Sequence, residues 1–156
     1  DFAIISRREG DFSSTVLKRD GLVAMLPPEH PMAHSDGVPA TIFETEPYIE
    51  IHTGLQTDNS LCFEKRGITP NLSFSTPDSF VACGMVKAGL GWSIVPEICL
   101  SYFDGIAEPL FFADGTPLTR STYLLYRRRE AELPQVRAFI QTVCERENIP
   151  SPVPHV

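Results

Sequence analysis

Short apolar runs alternate along the chain with segments whose apolar positions recur every three or four residues. Residues 2–5 form an apolar run that reads as a buried parallel strand. Residues 22–26 form a second run, closed by Pro27-Pro28. Residues 38–45 have room for one helical turn opened by Pro39. Residues 48–52 read as a strand, and 57–66 as a helix stopped by Gly67. Residues 71–75 alternate like a strand. Thr76-Pro77-Asp78 then marks a helix start, with a hydroxyl cap, proline at the first helical position and an acid in the first turn. In that helix Val81, Met85 and Ala88 share a face, and Gly89 ends it. Further strands are expected at 91–95, 107–112 and 119–126, with Asp114-Gly115 as a turn. Leu133, Val136, Ile140 and Val143 mark a last helix opened by Pro134. Such alternation predicts an α/β fold with mostly parallel strands.

Composition narrows this picture. A chain of 156 residues allows one domain or two small lobes. No apolar run approaches the ~20 residues of a membrane-spanning helix. The net charge of −7 argues against a chain that grips nucleic acid by itself, since phosphate binding needs a basic face. The two basic runs, Arg7-Arg8 and Arg127-Arg128-Arg129, read as solvated turns or strand ends. The four cysteines stand far apart with no C-x-x-C, and suit a reducing cytoplasm without disulfides. Cys83 and Cys144 fall in apolar helical patterns and read as core.

Most candidate chemistry has a plain alternative. His30 and His34 are four apart, but Pro31 between them argues against a helix, so no metal site is predicted. His52 at a strand end reads equally as a ligand contact or an ordinary surface histidine. No serine stands in a G-x-S-x-G elbow, and Gly84, Gly89 and Gly91 close a helix instead of opening one. Phe111-Phe112 and Trp92 read as core. One pattern points further: Ser6, Thr53 and Thr76 each follow a predicted strand, and Thr53 and Thr76 each precede a helix. Ligands of α/β sheets bind beyond the carboxyl ends of strands, and helix starts offer free N–H groups to anions. With no general base among them, the arrangement reads as binding and not as catalysis.

These residues also carry a family likeness. Asp1-Phe2-Ala3-Ile4 is followed by Leu22-Val-Ala-Met-Leu-Pro27-Pro-Glu-His30-Pro31-Met-Ala33. Then come Gly67-Ile68-Thr69-Pro70 and Val86-Lys-Ala-Gly89-Leu90-Gly91-Trp-Ser-Ile94-Val95-Pro96. In this order and spacing they resemble the effector-binding (substrate-binding) domain of LysR-type transcriptional regulators, over about residues 1–146. The resemblance implies a type 2 periplasmic-binding-protein-like fold: two α/β lobes with mixed, mostly parallel sheets around a cleft, crossed twice by the chain near 16–22 and 119–127. Residues 1–15 and 119–147 would be a partial lobe I with crossover strands. Residues 16–118 would hold the first crossover strand and lobe II, and 148–156 a loose tail. It implies a small-molecule effector in the cleft, lined by Ser6, Thr53, Gly54, Thr76 and Ser79, with His30 or Pro31 near it. The hydroxyls and helix starts suggest a small organic acid or oxyanion, with a neutral aromatic as the alternative. No cofactor, metal, enzyme activity or membrane is implied. DNA binding would need a winged helix-turn-helix that this sequence lacks, as it lacks the start of lobe I. A cytoplasmic homodimer or homotetramer is the expected setting of the full-length protein.

Trp92 departs from the small or aliphatic residue expected after Gly-Leu-Gly, and would either narrow the cleft or fill the core. Two rival readings share the architecture: a periplasmic solute-binding protein and an enzyme.

Overall fold

In the computed structural model, residues 2–6, 12–52, 57–103 and 105–153 are described, Tyr102 by its backbone alone. The chain divides into two units. Unit 1 comprises Asp1–Arg19 and Ser121–Val156, and unit 2 comprises Asp20–Arg120. The chain passes from one to the other within strands β2, Ser13–Leu26, and β8, Thr119–Tyr126.

In unit 1, β1, Phe2–Ile5, pairs antiparallel with β8, Phe2 opposite Tyr126 and Ile5 opposite Tyr123. The apolar run had promised a buried parallel strand. Its residues are instead largely exposed, Ile4 to 61%. β1 ends the strand order, and three of its four residues are exposed. The core of this unit is built by Leu124 and Tyr126 of β8 against Val136, Ile140 and Cys144 of helix α3, Pro134–Arg146. The spacing 136, 140, 144 is one helical face, and Pro134 sits in the first turn, where its missing N–H costs nothing. In the segment expected as a loose tail, Ile149 and Val153 pack against this core.

In unit 2, β2 pairs antiparallel with β6, Ser93–Pro96, and with β7, Ile106–Phe111. β3, Val38–Pro39, joins β7 in parallel, and a 3-10 turn follows over Ala40–Glu44. Antiparallel ladders on the long β2 and β8 thus accompany the parallel one of β3 with β7, and the larger sheet is mixed. The run at residues 22–26 is buried on both faces. Leu22, Ala24 and Leu26 meet Phe43, Tyr48, Phe63 and Trp92, while Val23 and Met25 meet Ile49, Ala82 and Val86. Such two-sided burial is why the run has no polar alternation.

The second, smaller sheet pairs β4, Tyr48–Glu50, in parallel with β5, Leu72–Ser75. Between them lies helix α1, Asp58–Arg66, ended by Gly67 in the left-handed conformation (φ 67°) that glycine adopts without strain. Helix α2, Ser79–Lys87, follows β5. Its buried face is Ala82 and Val86, one position on from the expected 81/85/88 stripe, and Val81 is half-exposed.

Candidate functional site

The backbone bonds of β4 bring two strand ends together. Thr76 N donates to the Glu50 carbonyl at 2.9 Å, so β4 and β5 finish side by side. On the other flank Ile49 N donates to the Trp92 carbonyl at 2.7 Å, and the buried Ser93 hydroxyl donates to the Ile49 carbonyl at 2.8 Å. α1 and α2 both begin just beyond this point in the sequence. Adjacent carboxyl ends of parallel strands next to helix starts are where α/β proteins place ligands.

Each helix start is already occupied by the chain itself. At α1 the Thr57 hydroxyl accepts from Ser60 N at 3.0 Å, while the Ser60 hydroxyl accepts from Thr57 N at 2.8 Å, a reciprocal cap. At α2 the cap is Asp78, not Thr76. One carboxylate oxygen accepts from Phe80 N at 2.8 Å and from Val81 N at 3.2 Å. Thr76 lies two residues earlier, buried, and its hydroxyl accepts from Asp78 N at 3.2 Å. Pro77 therefore precedes the cap instead of opening the helix. The acid wins because it serves two N–H groups and its charge complements the helix dipole. A bound anion would find those donors taken and a carboxylate beside them. Asp78→Ala is expected to lower unfolding stability by about 1 kcal/mol, read by urea titration.

The side chain that the strand ends hold most firmly is one the sequence reading did not single out. Glu50 shares a face of β4 with Tyr48, since strand residues two apart point the same way. Tyr48 is buried, and its hydroxyl donates to Glu50 Oε2 at 3.0 Å. The Thr57 hydroxyl lies 3.5 Å from Oε1, and Asn59 Nδ2 lies 3.5 Å from the Tyr48 hydroxyl. Burial pushes the half-buried Glu50 carboxyl above its ordinary range, and the Tyr48 and Thr57 hydroxyls and nearby His52 only partly offset this. Tyr48 is raised well above the usual phenol range, by burial first and by the Glu50 charge second. The legible signal was an acid at an inward position of an otherwise apolar strand.

The residues expected to line a ligand site fall in three places. Thr76 and Ser79 lie at this strand-end cluster in unit 2, Thr76 buried and Ser79 half-buried. Ser6 follows β1 in unit 1 and is half-buried. Thr53 and Gly54 lie outside the described residues. Trp92 is 1% exposed and belongs to the core. His30 meets the Trp92 ring edge-on at 4.3 Å, and its Nδ1 accepts from Met32 N at 3.1 Å, so it braces the loop after β2. Among the described residues, no group of three His, Cys, Asp or Glu side chains could hold a metal ion. No described helix is long and apolar enough to cross a membrane.

Comparison with known proteins places this geometry. The chain is 47% identical over 57 residues to the HTH-type transcriptional regulator YraN of Bacillus subtilis, and 31% identical over 85 residues to YnfL of Escherichia coli. Those matches cover 36% and 52% of this chain but span only 20% and 29% of the two regulators. In fold, the chain is similar to the effector binding domain of QuiR in complex with shikimate, with a TM-score of 0.75 and 22% identity. That match covers 95% of this chain and 72% of the other. It is likewise similar to the Synechocystis CcmR regulatory domain in complex with 2-PG, with a TM-score of 0.76 and 16% identity, covering 94% and 73%. Full-length BenM matches with a TM-score of 0.76 and 20% identity, covering 99% of this chain and 54% of that one. The sequence pattern of the LysR substrate binding domain extends over residues 1–147, nearly the whole chain. With its two α/β units and a mixed sheet of the type 2 periplasmic-binding-protein kind, the chain belongs to the LysR substrate binding domain family.

Proposed function

We propose that this chain is the ligand-sensing domain of a bacterial LysR-type transcriptional regulator, and that it binds a small metabolite in a cleft between its two lobes. The match over residues 1–147 carries the reading. The shared end of β4 and β5 supports it, because parallel strand ends next to helix starts form a natural ligand seat. Similar domains solved with shikimate and with 2-PG support a small-molecule effector. A ligand that touches both lobes shifts the protein toward a closed form by its extra affinity for that form. In the full-length regulator, a homodimer or homotetramer in the cytoplasm, closure would rearrange DNA-binding heads carried outside this sequence. The domain itself performs no chemistry in this reading.

Ser6, Thr53, Gly54, Thr76 and Ser79 are the proposed contacts. An organic acid or oxyanion is the ligand class expected from strand-end hydroxyls and helix starts. Asp78 at α2 works against an anion there. A thermal-shift screen of small metabolites tests the reading, since any ligand selective for the folded state raises apparent stability by mass action. A compound that raises the melting temperature should bind Thr53→Ala about tenfold more weakly by calorimetry, the loss expected for one hydrogen bond. Unchanged affinity would remove Thr53 from the site.

A further inference from the structure

We propose that Glu50 is a specificity-determining residue of this domain, and that its carboxylate selects a ligand presenting a nitrogen donor, an ammonium or amidinium group. The inference rests on the reading above that the ligand lies at the carboxyl ends of β4 and β5.

Three observations carry it. The first is position: Glu50 is the last residue of β4, its own carbonyl joins β5 through Thr76, and its side chain lies beside Thr57 at the start of α1. The second is under-satisfaction. An ionised carboxylate offers about four acceptor sites. Among the described residues Glu50 receives the Tyr48 hydroxyl at 3.0 Å, the Thr57 hydroxyl at 3.5 Å and the Ile51 backbone N–H, with His52 nearby, and no lysine or arginine pairs with it. A half-buried carboxylate without a lysine or arginine partner is costly to keep ionised, so a ligand that supplies a cation recovers part of that cost. The third is rigidity. Tyr48 is 1% exposed, packed between Phe43 and Phe63, and its hydroxyl holds one Glu50 oxygen in place. A fixed acceptor discriminates between donors better than a free one.

The charges around the site point the same way. On β4 and just beyond it the titratable neighbours are Tyr48 and His52. α1 adds Asp58 and the β5–α2 link adds Asp78, and no lysine or arginine stands in residues 48–52, 57–60 or 72–80. Both helix starts are capped by the chain's own side chains, and the one at α2 by an acid. Among the described residues the surroundings are therefore acidic and without a lysine or arginine, which disfavours a ligand whose only polar group is an anion.

The test is a matched panel bound to the protein by calorimetry: the proteinogenic amino acids, the amines they give on decarboxylation, and the 2-hydroxy acids that lack the nitrogen. The expected result is that at least one nitrogen-bearing compound binds, and that its nitrogen-free counterpart binds at least tenfold more weakly. E50Q should reduce the affinity of the nitrogen-bearing compound at least tenfold. A cation binds the ionised carboxylate, and burial raises the pH at which Glu50 loses its proton. Wild-type affinity should therefore fall as the pH is lowered from about 8 to about 5, while E50Q stays flat. That wild-type profile keeps the test decisive even where E50Q folds poorly. Hydroxy acids that bind wild type and E50Q alike, in preference to the amines, would overturn the role of Glu50 and leave the sensing reading standing. A panel in which nothing binds counts against both.

Discussion

Gly91→Ala is expected to destabilise unit 2 by about 3–5 kcal/mol, at the upper end of what single substitutions do. Gly91 has a φ of 152°, a conformation that residues with a Cβ rarely adopt. A Cβ there would sit 2.4 Å from the Pro47 carbonyl oxygen and 3.1 Å from its carbon, and both atoms are backbone. No side chain can rotate away to relieve the contact, so either β4 or β6 has to move. Movement is costly because Trp92 N donates to that same Pro47 carbonyl at 2.8 Å, and the next bond, Ile49 N to the Trp92 carbonyl, follows directly. A melting temperature within a degree or two of wild type would show that the strands tolerate the added methyl group and would refute this account. The Gly-Leu-Gly block thus has a local physical reason, the close approach of two backbones.

Trp92→Ala is expected to cost a similar ~3–5 kcal/mol, for a different reason: an emptied core. The ring is 1% exposed and meets Phe43 and His30 edge-on. Trp92→Phe should recover most of that loss. The Trp92 indole Nε1 is buried and has no hydrogen-bond partner among the described residues, so replacing the indole removes an unsatisfied donor whose burial costs about 1–3 kcal/mol. That gain offsets part of the lost volume. Urea denaturation of the three proteins decides the matter. If Trp92→Phe is as damaging as Trp92→Ala, Nε1 has a partner that matters.

The presence and approximate ends of the three α-helices were legible. The Gly67 stop of α1 and Pro134 in the first turn of α3 follow from bonds and torsions that span about four residues, whereas Thr57, read as the first helical residue, is the cap of α1. The start of α2 was misplaced by two positions for the same local reason. Thr76, Pro77 and Asp78 all favour a helix start, and the competition was decided by Asp78 reaching two N–H groups at once. β1 shows another failure: four apolar residues read as buried, but burial depends on whether a neighbour covers the strand. Of the residues at the ends of β4 and β5, Thr76 and Ser79 were singled out from the sequence and Glu50 was not. Its environment is made by Tyr48 on the same face and by Thr57 and Asn59 across a connection, and neither alternation nor motif spacing shows where that connection folds back.

The sequence by itself determined the order of strands and helices, the Gly67 stop of α1, the turn at Gly115 and the family, because these rest on near neighbours or on motifs in order. The tertiary structure alone decided that β1 pairs antiparallel at the end of the strand order, and that Glu50 stands braced where β4 and β5 end. Those outcomes depend on pairings between distant residues, such as the Ser93 hydroxyl and the Ile49 carbonyl, 44 positions apart. Local propensity carries no record of such pairings, because closing a long loop costs entropy that only the assembled core repays.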